Sequence, residues 1–192
     1  MRATSSSTSS ARKSGTSTTS RRCGPPSCRS RKRTSRPADL LRIAICSIGR
    51  FGRGPERTLF DVYAKRLPWP LDLHELEDRK GGSDAERNRR ENALLRERAA
   101  DAQAVIALDE RGRELDSRAF AAALGGFADA GRRDIAILVG GADGLDDETR
   151  AMADLTVSFG RLTWPHLIVR AMLAEQLYRA HTILTGHPYH RD

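Results

Sequence analysis

The chain closes with His187, Pro188, Tyr189, His190, Arg191 and Asp192, which puts two imidazoles, a phenol and a guanidinium within six positions. Chain ends ordinarily carry small polar residues that lose nothing by fraying, so this composition asks for an end held in place. Imidazoles titrate near neutral pH and can take or give a proton there. A neighbouring guanidinium can stabilise an anion. His190, Arg191 and Tyr189 are therefore candidates for catalysis, while His181 and His187 are expected to be structural or solvent-facing. Glu175 and Arg179 stand one helical turn apart among apolar neighbours. As a surface ion pair they contribute only about 0.3 kcal/mol, and Glu175 is carried as a fourth catalytic candidate.

Two glycine-bearing stretches have the character of a binding pocket. In "LVGGADGL" (138–145) an apolar run empties into Gly140 and Gly141 and then reaches Gly144. Glycines at the carboxyl end of a parallel strand let a ligand approach the backbone, although a plain tight turn uses them too. In "FGRLTWPH" (159–166), Gly160, the Thr163 hydroxyl and the Pro165 ring fix a loop against a helix start. Leu108, followed by Asp109 and Glu110, ends a third apolar run. Leu108, Leu162 and Trp164 offer apolar walls and the backbone offers hydrogen bonds, a combination suited to a flat, uncharged heterocycle. "GRFGRG" (49–54) has the spacing G-x-x-G-x-G. It reads as a flexible or substrate-facing loop rather than a dinucleotide fingerprint, and the chain contains no G-x-x-x-x-G-K-[ST].

The elements that must position these residues alternate. Apolar, β-branched runs at 41–49, 71–76, 104–108, 134–141 and 155–160 read as strands. Helical spacing follows each of them, at 55–67, 85–100, 117–130, 146–153 and from about Pro165 to Leu184, where Gly186 stops the last helix. This order predicts an α/β fold with a mostly parallel sheet of five to six strands and helices on both faces. The last helix is apolar on more than one stripe, so it is expected to pack on two surfaces.

The 192 residues suit one domain with something extra. Residues 1–40 hold ten Lys or Arg against one acid, a net of +9, and 17 of them are Ser or Thr. Such a segment cannot bury enough apolar surface to offset ordering, so 1–40 is expected to be disordered. It is transit-like in composition, or it reflects a start assigned too far upstream. The remaining 152 residues carry 23 bases and 24 acids, so the overall +8 belongs to the tail and not to the body. Cys23 and Cys28 have no second ligand pair nearby, Cys46 sits in an apolar run, and no metal site is expected. No stretch approaches the roughly 18 apolar residues of a membrane span, so a soluble, cytoplasmic protein without a membrane partner is expected.

"LVGGADGL", "LTWPHLIVRAMLAEQLYRA" and "HPYHRD", in this order and spacing and with "LDERG" after the third strand, resemble the RlmH-type ribosomal RNA methyltransferases of the SPOUT superfamily. The resemblance spans about residues 41–192 and is most specific in the last third. It implies a C-terminal trefoil knot, which spacing alone would not suggest because knots are very rare. It also implies a homodimer, S-adenosyl-L-methionine (SAM) as methyl donor, and a pseudouridine of large-subunit (23S) ribosomal RNA methylated at N3. Carried onto matching positions, the cofactor loops are Leu108, Gly140 and Gly141, then Gly160, Arg161, Leu162, Thr163, Trp164, Pro165 and His166. Ala142 and Asp143 stand where the family has Pro-Glu, and Trp164 where it has a smaller apolar residue. The imide N3–H is a weak acid, which makes His190 and His166 candidate proton acceptors and Arg191 a candidate for stabilising the anion. A body of near-zero charge is poorly suited to RNA unless cations cluster, as Arg50 and Arg53 could with Arg191, and Arg79 with Lys80. A ribosome-binding assembly factor without turnover, or an enzyme of this superfamily acting on another RNA nucleotide, are the other readings.

Overall fold

A computed structural model describes residues 41–190, so the expectations placed on 1–40, with Cys23 and Cys28, and on Arg191 fall outside the described residues. Strands and helices alternate as β1 (Arg42–Ile48), α1 (Pro55–Arg66), β2 (Leu71–Leu76), α2 (Asp84–Ala99), β3 (Ala104–Glu114), α3 (Ser117–Asp129), β4 (Asp134–Val139), α4 (Asp147–Met152), β5 (Leu155–Ser158) and α5 (His166–Thr185). The strands form one five-stranded sheet in the order β2-β1-β4-β3-β5, and every pairing is parallel. Parallel neighbours need a crossover, and the helices supply them.

Residue parity along the strands divides the core. Ile43 and Ile45 of β1, Ile106 of β3, and Ile135 and Ile137 of β4 meet Phe60 of α1, Leu124 of α3 and Leu173 of α5 on one face. Cys46, Ala107, Ala136 and Leu138 meet Leu95 and Ala99 of α2 on the other, with Met152 of α4 packed against them. Apolar residues of both parities are what a sheet covered on both sides requires. Because α4 leaves β4 on one face while α1 and α3 leave the neighbouring strands on the other, a crevice opens beyond the carboxyl end of β4. Open α/β sheets bind ligands at such a switch point.

β3 runs farther than its apolar residues indicate. The register slips between Leu108 and Arg113, both of which pair with Val157 of β5. Asp109, Glu110, Arg111 and Gly112 leave the ladder as a bulge, and the strand resumes at Arg113. Gly112 makes the return possible, since a Cβ there would stand 2.6 Å from the Val157 carbonyl carbon. In α5, α1 lies on one flank and α3 on the other, which accounts for part of its broad apolar surface. Gly186 ends it in the left-handed region at φ +71, as the sequence leads one to expect.

Candidate active site

The carboxyl ends of β3, β4 and β5 and the first turn of α5 enclose a cavity of about 350 Å³, within the range of small-molecule sites. Of the residues expected to hold a ligand, Leu108, Gly140, Gly141, Gly160, Leu162, Thr163, Trp164 and His166 line it. Arg161 and Pro165 stand just outside. The Arg161 side chain is 96% exposed near Glu114, and the Pro165 carbonyl accepts the amides of Ile168 and Val169 to start α5. The walls also include Val139, Val157 and Val169, so much of the lining is aliphatic side chain or bare backbone.

Arg150 reaches the cavity from α4, a position the sequence did not single out. Its guanidinium donates to Asp109 at 3.1 Å and also to the Leu145 carbonyl and Asp147. The Asp109 side chain is only 7% exposed, and its second oxygen accepts the Arg111 amide at 2.9 Å. A paired guanidinium is a poor clamp for phosphates, because a polyphosphate would have to displace carboxylates already in place. The site therefore fits a ligand held by shape and backbone groups.

The glycines that line the cavity also answer to the packing of their own loop. A Cβ on Gly140 would stand 2.8 Å from the Gly144 carbonyl carbon, and one on Gly141 would stand 2.7 Å from Glu91 Oε2 and 3.1 Å from Ile48 Cγ2. Both are small because the loop folds tightly on itself and against α2, whatever occupies the cavity. Glu91 is nearly buried, and burial raises its carboxyl pKa above the ordinary value despite Arg87 nearby.

Tyr189 docks elsewhere in the same chain. The Tyr189 hydroxyl donates to Glu175 Oε1 at 3.1 Å, Arg179 pairs with the same carboxylate, and the Arg179 guanidinium lies 5.0 Å from the Tyr189 ring centroid. Tyr178 packs edge-on against Tyr189 at 4.8 Å. Burial, with Tyr63 and Glu175 adding to it, raises the Tyr189 pKa, so the phenol stays protonated and serves as a donor. Thus Glu175 and Tyr189, two of the catalytic candidates, do meet. His190 follows them half-buried. Glu175 lies nine residues along α5 from His166, roughly 13 Å at the helical rise, and neither it nor Tyr189 nor His190 lines the cavity. His181 stacks edge-on against the buried Trp69 at 5.3 Å, a structural role.

At the cavity, burial and then the Arg170 charge lower the His166 pKa below the ordinary imidazole value. Arg170 itself is fully buried, bonded to the Ile48 carbonyl and set 5.2 Å over the Phe51 ring. Of the cations expected to cluster for RNA, Arg50 pairs with Glu77 at 2.6 Å and Arg79 with the same carboxylate at 3.1 Å. Among the described residues no group of three or more His, Cys, Asp or Glu could hold a metal ion. No helix there is long and apolar enough to cross a membrane.

A parallel sheet with a mixed apolar and backbone cavity at its switch point defines a class of small-molecule-binding α/β proteins, and comparison with known sequences makes the class specific. The profile of the family described as "Predicted SPOUT methyltransferase" matches residues 41–190, and the chain belongs to that family. Among its relatives, "Ribosomal RNA large subunit methyltransferase H" of Rhodospirillum centenum is 50% identical over 151 residues, covering 79% of this chain and 99% of the relative. The protein of the same name from Paramagnetospirillum magneticum is 48% identical over the same shares. That of Dinoroseobacter shibae is 46% identical over 159 residues, again 79% and 99%.

Proposed function

We propose that this chain is a SAM-dependent methyltransferase that modifies N3 of a pseudouridine in large-subunit ribosomal RNA, acting on the cytoplasmic ribosome as a homodimer. The observation that carries the reading is the cavity at the ends of β3, β4 and β5, whose residues fit the donor. Its aliphatic walls suit an adenine ring, its backbone edges suit the polar groups of a nucleoside, and Arg150 is already engaged by Asp109 and Asp147. Near-full coverage of relatives named for large-subunit ribosomal RNA supports the choice of substrate.

SAM, when bound, supplies a sulfonium methyl that passes to the attacking nitrogen without its bonding electrons. The residues of this chain have two tasks: holding the nucleobase in line and taking its imide proton. His166 faces the cavity and is neutral near pH 7, because its pKa lies below the ordinary value. Its free ring nitrogen can therefore accept the proton. Tyr189 is bonded to Glu175, roughly 13 Å along α5 from His166, and neither it nor His190 lines the cavity of its own chain, which supports a site completed by the terminal segment of a second copy. Leu162 and Trp164, exposed in the cavity lining, and Ile168, exposed on the first turn of α5, give such a copy an apolar surface to cover. The C-terminal knot belongs to the same reading, since threading would keep the end from fraying.

Isothermal calorimetry of the purified chain with SAM tests the proposal. One donor bound per protomer is expected, with micromolar affinity of about −8 kcal/mol. Absence of binding would remove the methyltransferase reading and leave a ribosome-binding protein of the same fold.

A further inference from the structure

The α2 helix grips the loop between β4 and α4 through a polar seam rather than an apolar one. Asn88 Nδ2 donates to the Gly144 carbonyl at 3.1 Å. Asn92 Nδ2 donates to the same carbonyl at 3.3 Å and to the Asn88 carbonyl at 2.9 Å, while its Oδ1 accepts the Asp146 amide at 3.0 Å. Arg96 bonds both Asp146 oxygens at 3.0 Å and the Thr149 hydroxyl at 2.8 Å. Residues 88, 92 and 96 are four apart and so share one line of the helix.

Asn92 is the centre of the seam. It is 1% exposed, and both ends of its carboxamide are in use. An apolar side chain there would leave the Asp146 N–H without its acceptor and would take one donor from the Gly144 carbonyl, a costly loss in a buried place. The contact also transmits. Gly144 packs against Gly140 so closely that a Cβ on Gly140 would not fit, and Gly140 lines the cavity. A shift at Gly144 therefore becomes a shift of the cavity wall.

We infer that Asn92, with Asn88 beside it, is a positioning residue for the methyl donor: it fixes the backbone of Gly144 and Asp146 from the side away from the cavity and so sets the shape of the wall at 140–145. This rests on the reading of the cavity as the SAM site. The helix contributes nothing to the ligand directly; it determines whether the loop is already in the binding conformation when the ligand arrives.

Three single variants of the full chain, Asn92→Ala, Asn88→Ala and Leu95→Ala, separate positioning from mere stability. Leu95 is wholly buried on the same helix in an apolar cluster with the sheet and Leu145 and makes none of the seam's hydrogen bonds, so its truncation loosens α2 while leaving those bonds in place. SAM affinity by calorimetry should fall about 10-fold or more in Asn92→Ala and by a smaller factor in Asn88→Ala. In Leu95→Ala it should stay within about twofold of wild type even where the melting temperature falls furthest. Hydrogen exchange should show faster exchange of the Asp146 amide in Asn92→Ala, with or without SAM. Wild-type affinity in both asparagine variants, or affinity that simply tracks melting temperature across all three, overturns the inference while leaving the donor site intact. If Asn92→Ala does not fold, Asn88→Ala decides by the same comparison. A wild-type chain that binds no SAM overturns the donor-site reading and this inference with it.

Discussion

His166 and His190 are the imidazoles from which an acceptor for the imide proton can be drawn, and their surroundings assign them different work. His166 lines the cavity, where partial desolvation and then the Arg170 charge lower its pKa below the ordinary imidazole value. His190 follows Tyr189, which is fixed to Glu175 well along α5. With His166 as acceptor, kcat/KM should be level near neutral pH and fall on the acid side with an apparent pKa below the ordinary imidazole value, because protonation there removes the acceptor. His166→Ala should lose about two to four orders of magnitude and regain part of the rate at high pH, where the N3 proton leaves unaided. His190→Ala should instead lose activity equally at all pH, mainly through KM. The reverse pattern would move the acceptor to the terminal segment. At this scale the sequence makes the positions of Gly140 and Gly141 legible, but not the reason for them. Both are small for contacts with Gly144 and Glu91, and the contact with Glu91 belongs to a helix some fifty residues earlier in the chain.

Elements were more legible than the contacts between them. Period and turn residues place β2 at its observed bounds and, the end of β3 apart, the other strands and helices within a few residues. Two elements escaped that reading. β3 continues through a polar bulge because Gly112 can lie against the β5 backbone, and a run such as Asp109 to Gly112 carries no strand periodicity. The α2 sequence resembles a solvated helix, with Glu86 and Arg90 as a surface pair, because charged spacing alone does not reveal what faces it. In the fold Glu86 instead closes a capping box with Ser83, a signature readable from Ser-x-x-Glu, and the polar side of the helix turns inward to the β4–α4 loop. The bulge gives an element-scale prediction. Gly112→Ala puts a methyl where only backbone motion of β5 can relieve the clash, so it should cost about 2 kcal/mol or more in chemical denaturation. It should also weaken SAM binding, since the end of β5 forms one wall of the cavity. An alanine variant of unchanged stability would mean that the bulge has room to spare.

Over the whole molecule, the net charge of +8 comes from residues 1–40, which carry +9, and the remaining residues carry −1. Some of the body's exposed cations are compensated, as Arg50 and Arg79 are by Glu77, so long-range attraction to RNA cannot supply all of the specificity. On the proposed reading, recognition falls to the shape of the cavity mouth and to the terminal segment of a second copy. The sequence could indicate an α/β sheet and a cofactor edge from local pattern, and the family from three stretches in the last third of the chain. It could not show that Tyr189 docks against Glu175 and Tyr178 of α5 instead of over its own cavity, because that depends on how α1 and α5 lie together. The central claim concerns one nucleotide, and mass-spectrometric nucleoside analysis of large-subunit ribosomal RNA from cells lacking this protein tests it most directly. The account predicts that a single N3-methylated pseudouridine becomes unmethylated and that the wild-type chain restores the methyl group, whereas a chain ending at Pro188 does not. A full complement of that methylated nucleoside in the deletion strain would contradict the account.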